Sequence, residues 1–168
     1  MLRAATVTSL LLFLLTAPAM AHIVASPDTA ITGDWFRTAL RVSHGCEGKD
    51  TKKITVFVPN NILIIKPQAK PGWKIDITKR KLAKPVAGPH GPITEVTEKI
   101  SWTGELPDQY FDEFGLSMKL PDQLGEIALL VLQECKKGFL FWKDMPGKSH
   151  KGHHEGFPAP VIKLKKWR

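Results

Sequence analysis

The stretch TEVTEKISWTG, residues 94–104, decides how the chain is read, because Val96, Ile100 and Trp102 fall at even spacing with Glu98 as the one polar break between them. Side chains two residues apart share one face of a β-strand. A helix would need apolar residues three and four apart, and this segment lacks them. The same period recurs on either side. KKITVFVP (52–59) alternates Ile54, Val56 and Val58, GWKIDIT (72–78) alternates Trp73, Ile75 and Ile77, and EFGLSMKLP (113–121) alternates Phe114, Leu116 and Met118. EIALLVLQEC (126–135) is apolar enough to predict a single strand covered on both faces. Proline and glycine punctuate the junctions, as in KPG, AGPHGP, MPG and FPAP. These features together predict an all-β, immunoglobulin-like sandwich of about seven to nine strands. Two stretches fit this pattern poorly: LPDQYFDEFG (106–115), dense in acids and aromatics, and the His-rich GKSHKGHHEGF (147–157).

The start of the chain has a different character. Arg3, the uncharged apolar run Leu10 to Leu15 and the small residues around Ala19-Met20-Ala21 read as a secretory signal peptide over residues 1–21. That apolar run is shorter than the ~20 residues a membrane span requires, and no later stretch reaches that length. The remainder, 22–168, is long enough for one domain with its own core, and no internal repeat or linker divides it. The balance of 24 Lys and Arg against 16 Asp and Glu, a net charge of +8 over 168 residues, is basic. The lysines are scattered, however, and an exported domain rarely meets nucleic acid, so neither a nucleic acid nor a membrane surface is expected as partner. The densest basic group, Lys163, Lys165, Lys166 and Arg168, reads as a solvated tail. Cys46 and Cys135 are the two cysteines, and in an oxidising compartment a single disulfide is the leading reading, with a copper(I) thiolate pair as the alternative.

Cleavage after Ala21 would leave His22 as the first residue. A terminal histidine offers two nitrogens, the α-amine and the ring Nδ1, placed to close a six-membered chelate ring on a metal. The amine titrates near about 8 and the imidazole near about 6.5, so a metal can displace both protons near neutral pH. Copper(II) suits such a ligand best among the common divalent metals and favours a tetragonal nitrogen and oxygen set. A further donor is therefore needed, and the candidates are Asp112, Glu113, His44, His90, His150, His153 and His154. In an extended YFDEFG, Asp112 is in phase with Phe114 while Glu113 faces the other way. His44, beside Gly45 and Cys46, reads as a loop residue near the disulfide, and His90, between Pro89 and Gly91, as a turn. Trp142 reads as a core or rim residue near a strand end, whose indole face could shield and attract a cation.

HIVASP at 22–27, VSHGCEG at 42–48, KPGWKI at 70–75, DEFGLSMKLP at 112–121, QECKKG at 133–138 followed by Trp142, and PAPVIKL at 158–164 run in order over nearly the whole chain. In these pieces the sequence resembles the YcnI-like family of secreted copper-binding domains. The resemblance implies a β-sandwich holding one copper(II) at His22, Glu113 and Trp142, and a disulfide between Cys46 and Cys135. It also implies a copper chaperone or buffer, periplasmic or secreted, that exchanges copper with other exported copper-handling proteins and is not an enzyme. Many members of that family continue into a membrane anchor, whereas KLKKWR closes this chain, which is therefore expected to be free in its compartment. The loop at 148–156 is expected to offer a second, weaker metal site through His150, His153 and His154. The competing readings are a metal-free interaction module and a copper oxygenase, which would add a second histidine to the terminal one.

Overall fold

A computed structural model describes residues 22–145 and 156–167. The expected signal peptide, residues 1–21, and the three histidines His150, His153 and His154 lie outside the described residues. Twelve strands and no α-helix occur within them: β1 (Val24–Ser26), β2 (Thr29–Ile31), β3 (Trp35–Val42), β4 (Thr51–Phe57), β5 (Ile65–Pro67), β6 (Lys74–Val86), β7 (Ile93–Leu106), β8 (Asp112–Lys119), β9 (Gly125–Ala128), β10 (Leu130–Cys135), β11 (Phe139–Trp142) and β12 (Val161–Lys165). They form a four-stranded sheet in the order β1-β3-β8-β5, a five-stranded sheet in the order β11-β10-β4-β7-β6, and a three-stranded sheet in the order β2-β12-β9. The expected all-β sandwich is present. It has more strands than expected because several are only three or four residues long.

The period-2 stripes supply the core. Phe114, Leu116 and Met118 point inward from β8 and Leu40 and Val42 from β3, meeting Ile54 and Val56 of β4, Ile100 and Trp102 of β7 and Val131 of β10. Trp102 and Phe114 join the two larger sheets edge to face at 5.5 Å, and Trp73 packs against Phe114 at 4.8 Å. Such aromatic pairs add about 0.5–1.5 kcal/mol each beyond the area they bury. Gly104 makes room for Trp73, since a Cβ there would lie 2.6 Å from the indole and 2.9 Å from the Gly72 carbonyl. Gly104→Ala is expected to cost about 1–3 kcal/mol by this overpacking. Urea unfolding measures it, and a loss below about 0.5 kcal/mol, the size of an ordinary surface change, would show that Trp73 moves aside freely.

Three expectations are corrected. EIALLVLQEC does not form one strand: the pairing is interrupted at Leu129, and the chain passes from one sheet to another, β9 pairing with β12 and β10 with β4 and β11. Nor is this run covered on both faces, since Ile127, Leu129, Val131 and Gln133 are buried while the residues between them are partly open. Lys163 and Lys165 belong not to a tail but to β12, where they alternate with the buried Ile162 and Leu164. This strand lies between β2, which it pairs in parallel, and β9, which it pairs antiparallel. The outer strand β6 departs from its pattern at Ile77, which is half exposed because β6 has a partner on one side only. No helix among the described residues is long and apolar enough to cross a membrane.

Candidate functional site

Trp142 closes β11 opposite Val131 and is only 2% exposed. Three rings gather around its indole. His22 meets it edge-on with centroids 6.1 Å apart, His44 meets it at 6.3 Å, and Phe157 packs at 5.4 Å. His22 reaches this position as the exposed residue leading into β1, where Ile23 is buried, Val24 exposed and Ala25 buried. The strand alternation thus turns the His22 side chain outward at the rim of the sandwich, where the buried tryptophan meets the surface.

The loop carrying His44 is held from several directions. Cys46 is joined to Cys135 by the expected disulfide. Cys46 and Lys49 exchange two backbone hydrogen bonds, 3.2 and 3.0 Å, around a turn in which Glu47 (φ 50°) and Gly48 (φ 70°) both occupy the left-handed region. Two consecutive positive φ values suit a tight two-residue connection, and Gly48 adopts its value without a Cβ penalty. The Gly45 amide donates to Asp108 Oδ1 at 2.8 Å. Beneath the loop, Gln133 is fully buried. Its Nε2 donates to the His44 carbonyl at 2.7 Å and to Thr51 Oγ1 at 2.8 Å, while its Oε1 accepts the Trp142 Nε1 hydrogen at 3.1 Å. The indole N–H is therefore occupied, and Trp142 presents ring carbon, not nitrogen, to whatever binds beside His22.

Glu113 lies on the outward face of β8, where the register sets it opposite Arg41 of β3, itself opposite Val24 of β1. Its Oε1 accepts from Arg41 Nε at 3.1 Å in an ion pair whose side chains are 47% and 43% exposed. An exposed pair of this kind contributes about 0–1 kcal/mol, so the carboxylate is held weakly. Asp112 is engaged differently, accepting from Lys70 Nζ at 2.5 Å and from the Glu113 amide at 2.8 Å. The structure thus brings His22, Trp142 and His44 together and pairs Glu113 with arginine. His90 sits in the expected turn, closed by the Gly91 amide on the Gly88 carbonyl at 3.3 Å. The chain on either side of residues 146–155 is joined: the Lys143 and Asp144 amides donate to the Phe157 carbonyl, and Asp144 Oδ2 accepts from the Phe157 amide at 2.6 Å.

Sequence reasoning placed His44 in a loop by the disulfide but did not bring it to Trp142, and it passed over Gln133. A signal for both was present. Each lies two residues before a cysteine, so the bond between Cys46 and Cys135 draws positions 44 and 133 together. No group of three or more His, Cys, Asp or Glu close enough to hold a metal occurs among the described residues. The chelate expected at His22 draws on a terminal α-amine and one imidazole and needs no such group.

Three sheets around one core, with a single disulfide tying the β3–β4 loop to the end of β10, define an immunoglobulin-like sandwich. The model of the family described as "Domain of unknown function (DUF1775)" matches residues 22–164, and the chain belongs to that family. Among solved structures, the chain is similar to an uncharacterized protein from Nocardia farcinica with an immunoglobulin-like fold. The two share 21% identity at a TM-score of 0.62, over 85% of this chain and 97% of the other. Comparison with curated proteins returned no match.

Proposed function

We propose that this protein is an exported, YcnI-like copper(II)-binding protein that carries or buffers copper in the periplasm or outside the cell. The observation that carries the reading is the contact of His22, the residue a signal peptidase would leave first, with the buried Trp142 at the sandwich rim. The amine and Nδ1 of His22 chelate the metal, and the Trp142 ring excludes water from one side and attracts the cation through its π face. Glu113 supplies an oxygen donor by exchanging Arg41 for the metal, a swap that the weak surface pair permits. The disulfide accords with an oxidising compartment. Release to other exported copper-handling proteins follows by ligand exchange, in which the monodentate carboxylate leaves before the chelating terminus. The protein acts as a carrier and not as an enzyme.

Copper(II) titration followed by electron paramagnetic resonance, on protein whose first residue is confirmed by mass spectrometry to be His22, tests this. One equivalent is expected to bind, and a single alanine placed before His22 is expected to weaken binding by more than about 100-fold, beyond the roughly 10–100-fold that accompanies loss of an outer contact to a metal site. Binding that ignores the added alanine and disappears on deletion of residues 150–155 would assign the metal to the His-rich loop instead.

A second reading, a metal-free interaction module, is favoured by one observation. Tyr110 and Phe111, 58% and 66% exposed, line a shallow cleft with Arg41 and Ser43. Exposed aromatics of this kind mark contact surfaces, and a protein that fails to bind copper with a free His22 terminus would be assigned to this reading.

A further inference from the structure

We propose that the open side of the sandwich, between β5 and β6, is a docking groove for an extended, acidic segment of a partner polypeptide, which adds to β6 as a further strand. β6 is the edge of the five-stranded sheet opposite to β11, which carries Trp142, so this surface is separate from the His22 site and does not depend on the copper-binding reading.

The groove exists because the facing sheets are unequal. β6 and β7 run for 13 and 14 residues, whereas β5, the outermost strand of the four-stranded sheet, has three. Part of the inward side of the long hairpin is therefore left uncovered. Ile77 stands opposite the fully buried Ile100 and shares its face of the sheet, yet it is 47% exposed. It lines a cleft of about 670 Å³ with Pro67 of β5 and Ile93 of β7. A second cleft, of about 710 Å³, shares Ile64 and Ile93 with the first and is lined in part by the exposed Trp35. Contiguous apolar surface of this kind marks a contact site.

Backbone and charge specify the occupant. β6 pairs with β7 along one edge and with no other strand among the described residues. The amides and carbonyls of its free edge can therefore receive an incoming strand. β6 also carries Lys74, Lys79, Arg80, Lys81 and Lys84 against a single acid, Asp76, which Lys74 already pairs at 3.3 Å. Lys79 and, from β5, Lys66 line the groove itself, with Glu95 as the acid beside them. Neither lysine forms an ion pair among the described residues. An acidic strand supplies the missing counter-charges, and every second side chain along it can reach the apolar floor. A second copy of this chain fits poorly, because β6 laid against β6 would set like charges opposite one another. Lysine is the residue by which natural edge strands prevent such pairing.

The test uses the protein beginning at His22, without copper, and a set of synthetic peptides in which glutamate alternates with valine, isoleucine or phenylalanine. Peptides with lysine in place of glutamate are the controls, and nuclear magnetic resonance follows the protein amides. At least one acidic peptide is expected to shift the resonances of β6 and the groove and to bind more weakly as salt rises. It is also expected to slow hydrogen exchange along β6 by about tenfold or more, the mark of a new strand and not of loose charge attraction. Lys66→Gln together with Lys79→Gln is expected to weaken binding about tenfold, the size of one charge-assisted contact, and Ile77→Glu to abolish it. All three positions are exposed, and urea unfolding checks that both variants keep the wild-type fold. The proposal is overturned if no acidic peptide binds, if the lysine peptides bind equally well, or if shifts spread over the basic surface while β6 exchange stays unchanged. Binding to vesicles of anionic phospholipid but to none of the peptides would overturn it in favour of a membrane surface. Self-association of the protein that Ile77→Glu abolishes would overturn it in favour of a second copy.

Discussion

Replacing Cys46 and Cys135 together by alanine is expected to lower the free energy of unfolding by about 4 kcal/mol. The cysteines are 89 residues apart, so their bond removes from the unfolded chain the freedom of a loop spanning more than half of the domain. Loop-closure entropy grows slowly with length, and a loop of this size sits near the upper end of what one cross-link contributes. The native cost is added to this, because the pair also ties the His44 turn to the end of β10, where Cys135 stands opposite Thr51 of β4. Urea unfolding of the oxidised protein beside the double variant gives the difference. A change below about 1 kcal/mol would mean that the unfolded chain stays compact around residues 46 and 135 without the bond, and that the disulfide serves the site more than the fold.

Gln133→Leu, a change of similar size inside a fully buried position, is expected to cost about 3 kcal/mol or more. The side chain makes three hydrogen bonds, and its loss strands the Trp142 N–H, the His44 carbonyl and the Thr51 hydroxyl in the interior. Each buried polar group left without a partner costs about 1–3 kcal/mol, although a small backbone shift at the His44 loop can readmit water to its carbonyl. Two readouts separate the consequences. Chemical denaturation reports the stability loss, and the Trp142 indole N–H resonance, assigned among the five tryptophans by its absence in Trp142→Phe, reports whether the indole keeps its setting. An unfolding free energy within 1 kcal/mol of wild type, about the worth of one ordinary hydrogen bond, would show that these groups find other partners and that Gln133 is not the support of the site.

The large core strands were readable because their chemistry is local. Val96, Ile100 and Trp102, like Phe114, Leu116 and Met118, announce their buried face through spacing alone, and each of these residues is buried. The division of EIALLVLQEC between two sheets was not readable, since no glycine or proline marks Leu129 and the apolar alternation continues through it. The basic end of the chain misled for a related reason: Lys163 and Lys165 look like a tail until Ile162 and Leu164 are seen to lie between them, a period too short to weigh against so much charge. At the candidate site, His22 stood out in the sequence because it follows Ala19-Met20-Ala21, where a signal peptidase is expected to cut. Its neighbours were not, because the meeting of His22, His44 and Trp142 depends on how one sheet lies over another. The partner of Glu113 depends on register, which sets Arg41 directly opposite, and strand register is fixed by the whole sheet.

The position of β12 bears on how the protein is made. This strand, formed by residues 161–165, is the middle member of its sheet, paired on one side with residues 29–31 and on the other with 125–128. A chain emerging from its N-terminus therefore carries β2 for nearly its whole length before the partner for that strand exists. Parallel pairing between distant segments forms slowly, because the intervening chain must be ordered first. Until residue 165 is available, two short strand edges stay open to pairing with other chains. The last strand thus acts as a completion signal for folding: a nascent or clipped chain ending before Val161 keeps most of its core residues yet lacks the piece that joins its beginning to its end.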